Sequence, residues 1–460
     1  MNLSDLYGRS PVVVQNAMAT GYGLRERARR YHGSFRHLVD ELNVRQWADP
    51  DELRADQLAR LRRQLTWCAA EVPHYRDQFR ELGFDPRDLA DVAGLEALPV
   101  LDKEVVRTDP ERFVADRDRG HLIAQTTGGT TGTPLRYWAT LDAVRANYAT
   151  YEARSRRWAG TRFGDRTASL HGQPIVPAAD QDGPFWRRNL AFNQLYLSVY
   201  HLNDRTLPAY IDALAAFDPR VVVGYMSAVH RLATHLLETG DVGRVSPSTV
   251  MVSSETLTAA ARHDIETAFG CRVFNGYSLG ELVAYVSECP HGSLHVSTEY
   301  GVLELVETEV GSEIVATGLI NRGMPLVRYR TSDLAVASDR PCSCGRGLPV
   351  LSELQGRADD VVRTPEGSVV GPAPMSLAFQ RVQRLRRAQV LQDAPEAITV
   401  LLEPAPGFDA DDQAFLDQEL RKRLGSTLAI TYERVEALPR TSGGKERLIV
   451  SSIGRDRPTA

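Results

Sequence analysis

The sequence predicts an α/β protein with a large N-terminal domain of mixed sheets and a small C-terminal α+β domain. Three observations carry this expectation. Strand-like apolar runs alternate with helical patterns between residues 206 and 277. Two more strand-like runs, GVLELVE (301–307) and EIVATGL (313–319), flank a turn containing Gly311. After about residue 361 the pattern becomes strand, amphipathic helix, strand. A chain of 460 residues has room for two domains, because single cores rarely grow past about 250–300 residues.

Residues 50–71 read as a helix, with Leu53, Leu58, Leu61, Leu65 and Ala69 at roughly helical spacing. Asp49 suits the cap, and Pro50 suits the first helical position, where its missing N–H costs nothing. Helices are expected at 206–217 and 227–238, on either side of VVVGY (221–225), a short buried strand. STVMVSS (248–254) predicts a second strand, 257–269 a helix, and CRVFNGY (271–277) a third strand. Strands alternating with helices imply a mostly parallel sheet covered on both faces. The runs at 301–307 and 313–319 predict an antiparallel hairpin. In the C-terminal part, ITVLLE (398–403) and LAITYERV (428–435) predict strands around a helix at 411–424. The domain boundary is expected near GRADD (356–360). The arginine-rich runs RERARR (25–30) and RLRR (384–387) read as solvated helix faces.

Composition excludes several classes. A net charge of −5 gives no electrostatic reason to bind nucleic acid or an anionic membrane. No apolar run is long enough to span a bilayer. The N-terminal stretch lacks the basic start of a secretory signal, so the expected compartment is the cytoplasm. Five cysteines are too few to staple so long a chain, and they are expected as reduced thiols.

The stretch QTTGGTTGTPLRY (125–137) is nearly all backbone amides and hydroxyls. Consecutive glycines let a chain turn sharply and aim N–H groups at an anion, and threonine hydroxyls add donors. It suits a triphosphate but is not a Walker A loop, since G-x-x-x-x-G-K-[ST] has no match. A second cluster gathers three cysteines and a histidine, in CPHGSLH (289–295) and CSCGRG (342–347). Cys289, His295, Cys342 and Cys344 would make a closed tetrahedral shell for a structural Zn²⁺, with His291 as a competing ligand. Reduced cysteines in loops are the plainer alternative.

The Gly/Thr loop resembles the [ST]-G-[ST]-T-G-x-P phosphate loop of the adenylate-forming superfamily, which includes the acyl-CoA synthetases. Gly129, Thr130, Thr131, Gly132 and Pro134 match it, while Gly128 stands where Ser is common and Thr133 where many members have Lys. YSLGE (277–281) resembles Y-G-x-[ST]-E, with Ser278 and Gly280 exchanged. YRTSDL (329–334) resembles Y-R-T-G-D-L. GRADD resembles the G-R-x-D-D hinge, and PRTSGGKERL (439–448) resembles P-R-T-x-x-G-K-x-x-R, with Arg447 one residue early. EVPHYRDQF (71–79) and LPVLDK (98–103) resemble the phenylacetate–CoA ligase and CapK-like branch.

The ordered set implies a domain at 1–358 that forms the adenylate and a mobile domain at 359–460 that pivots on Asp359. It implies ATP held by Thr127, Gly128, Gly129, Thr130, Thr131, Gly132 and Thr133, and by Ser254, Glu255, Asn275, Gly276, Tyr277 and Ser278. Asp333 would take the ribose hydroxyls, Arg357 the ribose or phosphate, and Glu281 the Mg²⁺. Lys445 would reach the reacting carboxylate and α-phosphate, with Thr131 and Glu281 beside it in catalysis. Tyr137, Trp138, His171, Tyr225 and Met226 are expected to line an acid pocket suited to an aryl or arylacetic acid. The implied partners are a small carboxylic acid and CoA, and a homodimer is compatible with this reading. Two alternatives stand beside it: transfer of the acyl group to an amine or a carrier-protein thiol, and a non-catalytic nucleotide-binding accessory protein.

Overall fold

A computed structural model describes residues 3–127, 135–177, 180, 182–358, 360–365, 368–441 and 444–453. Among these residues twelve strands of the larger domain form one sheet. Its middle is parallel. Val273–Ser278, Thr249–Ser253, Val221–Tyr225, Thr167–Leu170 and Gln194–Leu197 lie side by side in that order. The expected strands at 221–225, 248–254 and 271–277 are all there, as are helices Leu207–Phe217, Met226–Thr239 and Ala259–Phe269. Helices cover such a sheet on both faces, which is why Val221–Gly224 reads as an unbroken apolar run.

The sheet continues antiparallel from Val273–Ser278 through Tyr285–Glu288, Leu294–Val296, Val350–Arg357 and Tyr329–Ala337 to the hairpin Gly311–Gly318 and Gly301–Thr308. Helix Pro50–Glu71 packs Leu61, Leu65 and Cys68 into the core beneath this half, together with Val283, Tyr300 and Ile314. Asp49 caps it, accepting from the Asp51 N–H at 2.8 Å. A separate two-stranded ribbon pairs Ile123–Thr126 with Arg136–Ala139, the stretches on either side of the Gly/Thr run in sequence. No described helix is long and apolar enough to cross a membrane.

A separate core belongs to the C-terminal part alone. Val390, Val400 and Leu402 of one sheet pack on Leu416 and Leu420 of helix Ala410–Leu424. This sheet runs Ala429–Arg434, Ala397–Pro404, Leu385–Ala394, Ile449–Ser451. A strand therefore starts where RLRR was expected to be a solvated helix face. Arg387 is sandwiched by the carboxylates of Glu403 at 2.7 Å and Glu446 at 2.6 Å. Arg386 pairs with Glu238 of the larger domain. The partners lie far away in sequence, so local spacing gave no hint of them. RERARR does lie in a helix, Val12–Arg30.

Gly301 begins the hairpin where two backbones meet. A Cβ there would sit 2.0 Å from the carbonyl oxygen of Val283 and 3.0 Å from that of Thr317. Gly301→Ala is expected to reach the upper end of the ~1–3 kcal/mol typical of overpacking, seen as a lowered denaturation midpoint. An unchanged midpoint would mean that the sheet yields freely at this point.

Candidate active site

The parallel strands end on a common edge, and a cavity of about 1350 Å³ opens there. Ligands of open α/β sheets bind outside the carboxyl ends of the strands. Met226 follows one strand, Ser254 follows the next, and Asn275, Gly276, Tyr277 and Ser278 close the third; all line the cavity. Thr126 and Thr127 reach it from the ribbon, Asp333 and Arg357 from the antiparallel strands, and Lys445 from the C-terminal domain. The sequence thus placed on one wall residues that lie more than 300 positions apart. Gly128, Gly129, Thr130, Thr131, Gly132 and Thr133 lie outside the described residues, as does the expected pivot Asp359.

Glu281 is 5% exposed. Its Oε1 accepts from the Lys103 ammonium at 3.2 Å and the Tyr329 hydroxyl at 3.0 Å. Both of its hydrogen bonds among the described residues fall on Oε1, so Oε2 is the candidate cation ligand. Neither Lys103 nor Tyr329 was singled out from the sequence, although both lie inside quoted stretches, LPVLDK and YRTSDL. Asp333 stands directly across from Arg357 on the neighbouring strand. Its Oδ2 accepts from the Tyr277 hydroxyl at 2.9 Å. Burial pushes the Asp333 pKa up to about 6, against the lowering effect of Arg357. Ser332 holds φ +61 where the resembled motif has glycine, a backbone that glycine adopts without cost. Ser254, one of the expected nucleotide contacts, and Leu282, directly after YSLGE, also hold positive φ, and such strain concentrates at functional sites.

The Lys445 ammonium lies 5.6 Å from the centre of the Tyr225 ring, and His171 meets that ring edge-on at 5.7 Å. Burial lowers the Lys445 pKa, and the carboxylates of Glu255, Asp333 and Glu281 oppose that. Burial, then the Lys445 charge, brings His171 down to about 4, so its ring is neutral at pH 7. Tyr225 and His171 therefore gather beside Lys445, and Met226 lines the same cavity. The Tyr137–Trp138 pair requires a correction. Adjacent strand residues point to opposite faces, so the two cannot both face an acid. Tyr137 is buried with its hydroxyl donating to Gln125 at 2.9 Å, and Arg136 lies 4.9 Å over the Trp138 ring.

The cysteine cluster also assembles. The ligand atoms of Cys289, His295, Cys342 and Cys344 all lie within 4.8 Å of one another. Cys289 and Cys342 sulfurs are 3.6 Å apart, and Cys344 Sγ is 3.3 Å from His295 Nε2. A tetrahedron with Zn–S bonds of about 2.3 Å has edges of roughly 3.7 Å. His295 Nδ1 lies 3.1 Å from the Leu348 carbonyl oxygen. A proton on Nδ1 would leave Nε2 free to ligate. His291 instead pairs with Ser343 at 2.9 Å and stands outside the set.

The sequence over 362–452 matches the family model of the CapK C-terminal domain. Over 458 residues the chain is 27% identical to Protein CapK of Staphylococcus aureus, covering 98% of this chain and 100% of that one. Over 446 residues it is 25% identical to the phenylacetate-coenzyme A ligase of Thermus thermophilus, covering 87% and 96%. This chain is a homologue of CapK and of the phenylacetate-coenzyme A ligases. The match to CapK spans nearly all of each chain. Among solved structures, 2-hydroxyisobutyryl-CoA ligase in its postadenylation state superposes with a TM-score of 0.71, at 18% identity, over 89% of this chain and 91% of that one. The same enzyme in its thioesterification state gives 0.55. The fold is that of an adenylate-forming ligase.

Asp333 yields a prediction whose sign is fixed by its raised pKa. Its protonated form contributes stability that is fully present below about pH 4 and lost as pH rises through about 6. Asp333→Asn removes the buried charge and keeps an acceptor for Tyr277. The ligand-free variant is expected to melt higher than the parent at pH 7–8 and equally at pH 4. A melting temperature at pH 8 no higher than the parent's would contradict the burial argument.

Proposed function

We propose that the protein activates a carboxylic acid with ATP as an acyl-adenylate and then passes the acyl group to the thiol of CoA. The observation that carries this reading is Lys445. A lysine from a separately cored domain enters a cavity that also holds Glu281, Asp333, Tyr277 and Thr127. A non-catalytic nucleotide-binding protein has no need of such a cation at that point.

A carboxylate is a poor acyl donor because its oxygen does not leave. In the first half-reaction a carboxylate oxygen attacks the α-phosphorus and pyrophosphate departs. In the second, the CoA sulfur attacks the acyl carbon and AMP departs. The first step needs charge neutralisation and alignment along the triphosphate. Lys445 would stabilise charge between the acid and the α-phosphate, and Asp333 would accept the ribose hydroxyls. Lys103, bonded to Glu281, would supply a second cation in a chain whose loop has Thr133 where many members of the resembled superfamily have lysine. Mg²⁺ on Glu281 would neutralise the phosphates, since it favours oxygen ligands. His171, Tyr225 and Met226 would face the acid, and aromatic walls suit an aryl or arylacetic group. After adenylation the C-terminal domain would turn about the 356–360 hinge and withdraw Lys445. The higher TM-score against the postadenylation state supports reading the described arrangement as the one for the first half-reaction.

The same proposal assigns Zn²⁺ to Cys289, His295, Cys342 and Cys344 as a structural ion. A full shell leaves no open position for chemistry. The cluster binds its loops to the N-terminal helices: Arg346 stacks over Trp47 and Trp158 at 4.5 and 4.6 Å, and Gln46 accepts from Arg346 at 2.9 Å.

Acid-dependent pyrophosphate release, screened over aryl and arylacetic acids, tests the function. Mass spectrometry of the product with CoA and with amines separates the acceptors. Lys445→Ala is expected to lose acyl-AMP formation by at least about two orders of magnitude, as preorganised charge stabilisation predicts. Its thioester formation from preformed adenylate should persist. Equal loss of both half-reactions would refute this division of labour. Elemental analysis checks the metal: one zinc per chain in the parent, and less than half of that, with a lower melting temperature, in Cys344→Ser. A parent protein purified without zinc and stable against chelators would overturn the assignment.

A further inference from the structure

One carboxylate in the cavity wall bonds across the domain boundary. Glu255 follows strand Thr249–Ser253. Its Oε2 accepts from the backbone N–H of Ser227 at 2.7 Å, and its Oε1 from the Ser227 hydroxyl at 3.0 Å. Ser227 lies in the first turn of helix Met226–Thr239, where a carboxylate gains from unpaired N–H groups and the helix dipole. The Glu255 Oε1 also accepts from the backbone N–H of Glu446 at 2.9 Å. That amide is the one directly after Lys445.

The segment around Lys445 is held from its own side as well. The Thr441 hydroxyl accepts from the Lys445 N–H at 3.1 Å, and the Lys445 carbonyl accepts from the Thr441 N–H at 2.8 Å. Arg387 and Arg440 hold the Glu446 side chain at 2.6 and 3.2 Å. The contact with Glu255 thus transmits the position of the larger domain to a stiff segment. Resting on the adenylation reading above, we infer that Glu255 is a positioning residue: it clamps the first turn of helix Met226–Thr239 to the amide beside Lys445, and so aims the lysine into the cavity while the domains sit in this arrangement. The family resemblance placed Glu255 at the nucleotide. Its two oxygens instead accept three protein hydrogen bonds, and helix capping alone has no use for the third.

The first test needs no ligand. The parent, Glu255→Ala and Ser227→Ala proteins are treated with sulfosuccinimidyl acetate, and acetylation of each lysine is followed by peptide mass spectrometry. Glu255→Ala is expected to expose Lys445 to acetylation at least about tenfold faster, the scale of losing one hydrogen bond to a charged acceptor. Lys103, in the same cavity but on the larger domain, should react at the parental rate, and Ser227→Ala should leave both rates within about twofold. An unchanged Lys445 rate, or equal acceleration at Lys103, overturns the inference. The second test separates the half-reactions with phenylacetate. Glu255→Ala should lose about tenfold in ATP–pyrophosphate exchange while thioester formation from synthetic phenylacetyl-AMP stays within about twofold of the parent. Glu255→Gln, which keeps an acceptor, should recover most of the exchange. Equal losses in both half-reactions overturn the clamp. A parent protein inert toward every acid would sink the adenylation reading, and the acetylation rates would still decide the clamp.

Discussion

A lysine ammonium enclosed between two separately cored domains is the constraint around which this cavity is arranged. Burial disfavours its charge, and lowered solvation would neutralise it without compensation. Glu255, Asp333 and Glu281 supply that compensation from three different strands or strand ends. Each of those acids is in turn held by protein donors: Ser227 and the Glu446 amide for Glu255, Tyr277 for Asp333, Lys103 and Tyr329 for Glu281. The network is therefore preorganised before any ligand enters, which is the state in which electrostatic stabilisation costs least during reaction.

The large sheet makes this convergence achievable. Its parallel half puts Met226, Ser254 and Tyr277 at neighbouring strand ends, and its antiparallel half brings Asp333 and Arg357 into register beside them. Neither half alone surrounds the cavity. The cysteine and histidine loops adjoin the strands between these two sets, where Cys289 follows Tyr285–Glu288 and His295 sits in Leu294–Val296. Their contacts with Gln46, Trp47 and Trp158 attach the N-terminal helices to the sheet.

What could be read in the sequence depended on whether a signal was local. Val221–Tyr225 and helix Ala410–Leu424 were legible because burial on both faces, or on one, writes a period into consecutive residues. The site motifs were legible as a family resemblance, and the structure brings their described members to one wall. RLRR was misread because the carboxylates that bury Arg387 come from Glu403 and Glu446. Lys103 and Tyr329 were overlooked for the same reason: their importance lies in Glu281, some 178 and 48 positions away. Family position and apolar character put Trp138 beside Tyr137 as a pocket residue, and the pleat separates the two.

Several contacts across the seam between the domains are polar. Arg386 meets Glu238, Arg440 donates to the Val199 carbonyl at 2.6 Å, and the Glu446 amide meets Glu255. Water can replace each of these partners when the seam parts, whereas an oily interface would leave apolar area stranded. The smaller domain is thus fastened by bonds that solvent can take over at little net cost. Dissolved electrolyte, which damps attraction between exposed charges and largely cancels it beyond about 8–10 Å at ordinary concentrations, becomes a dial on the Arg386–Glu238 part of that fastening.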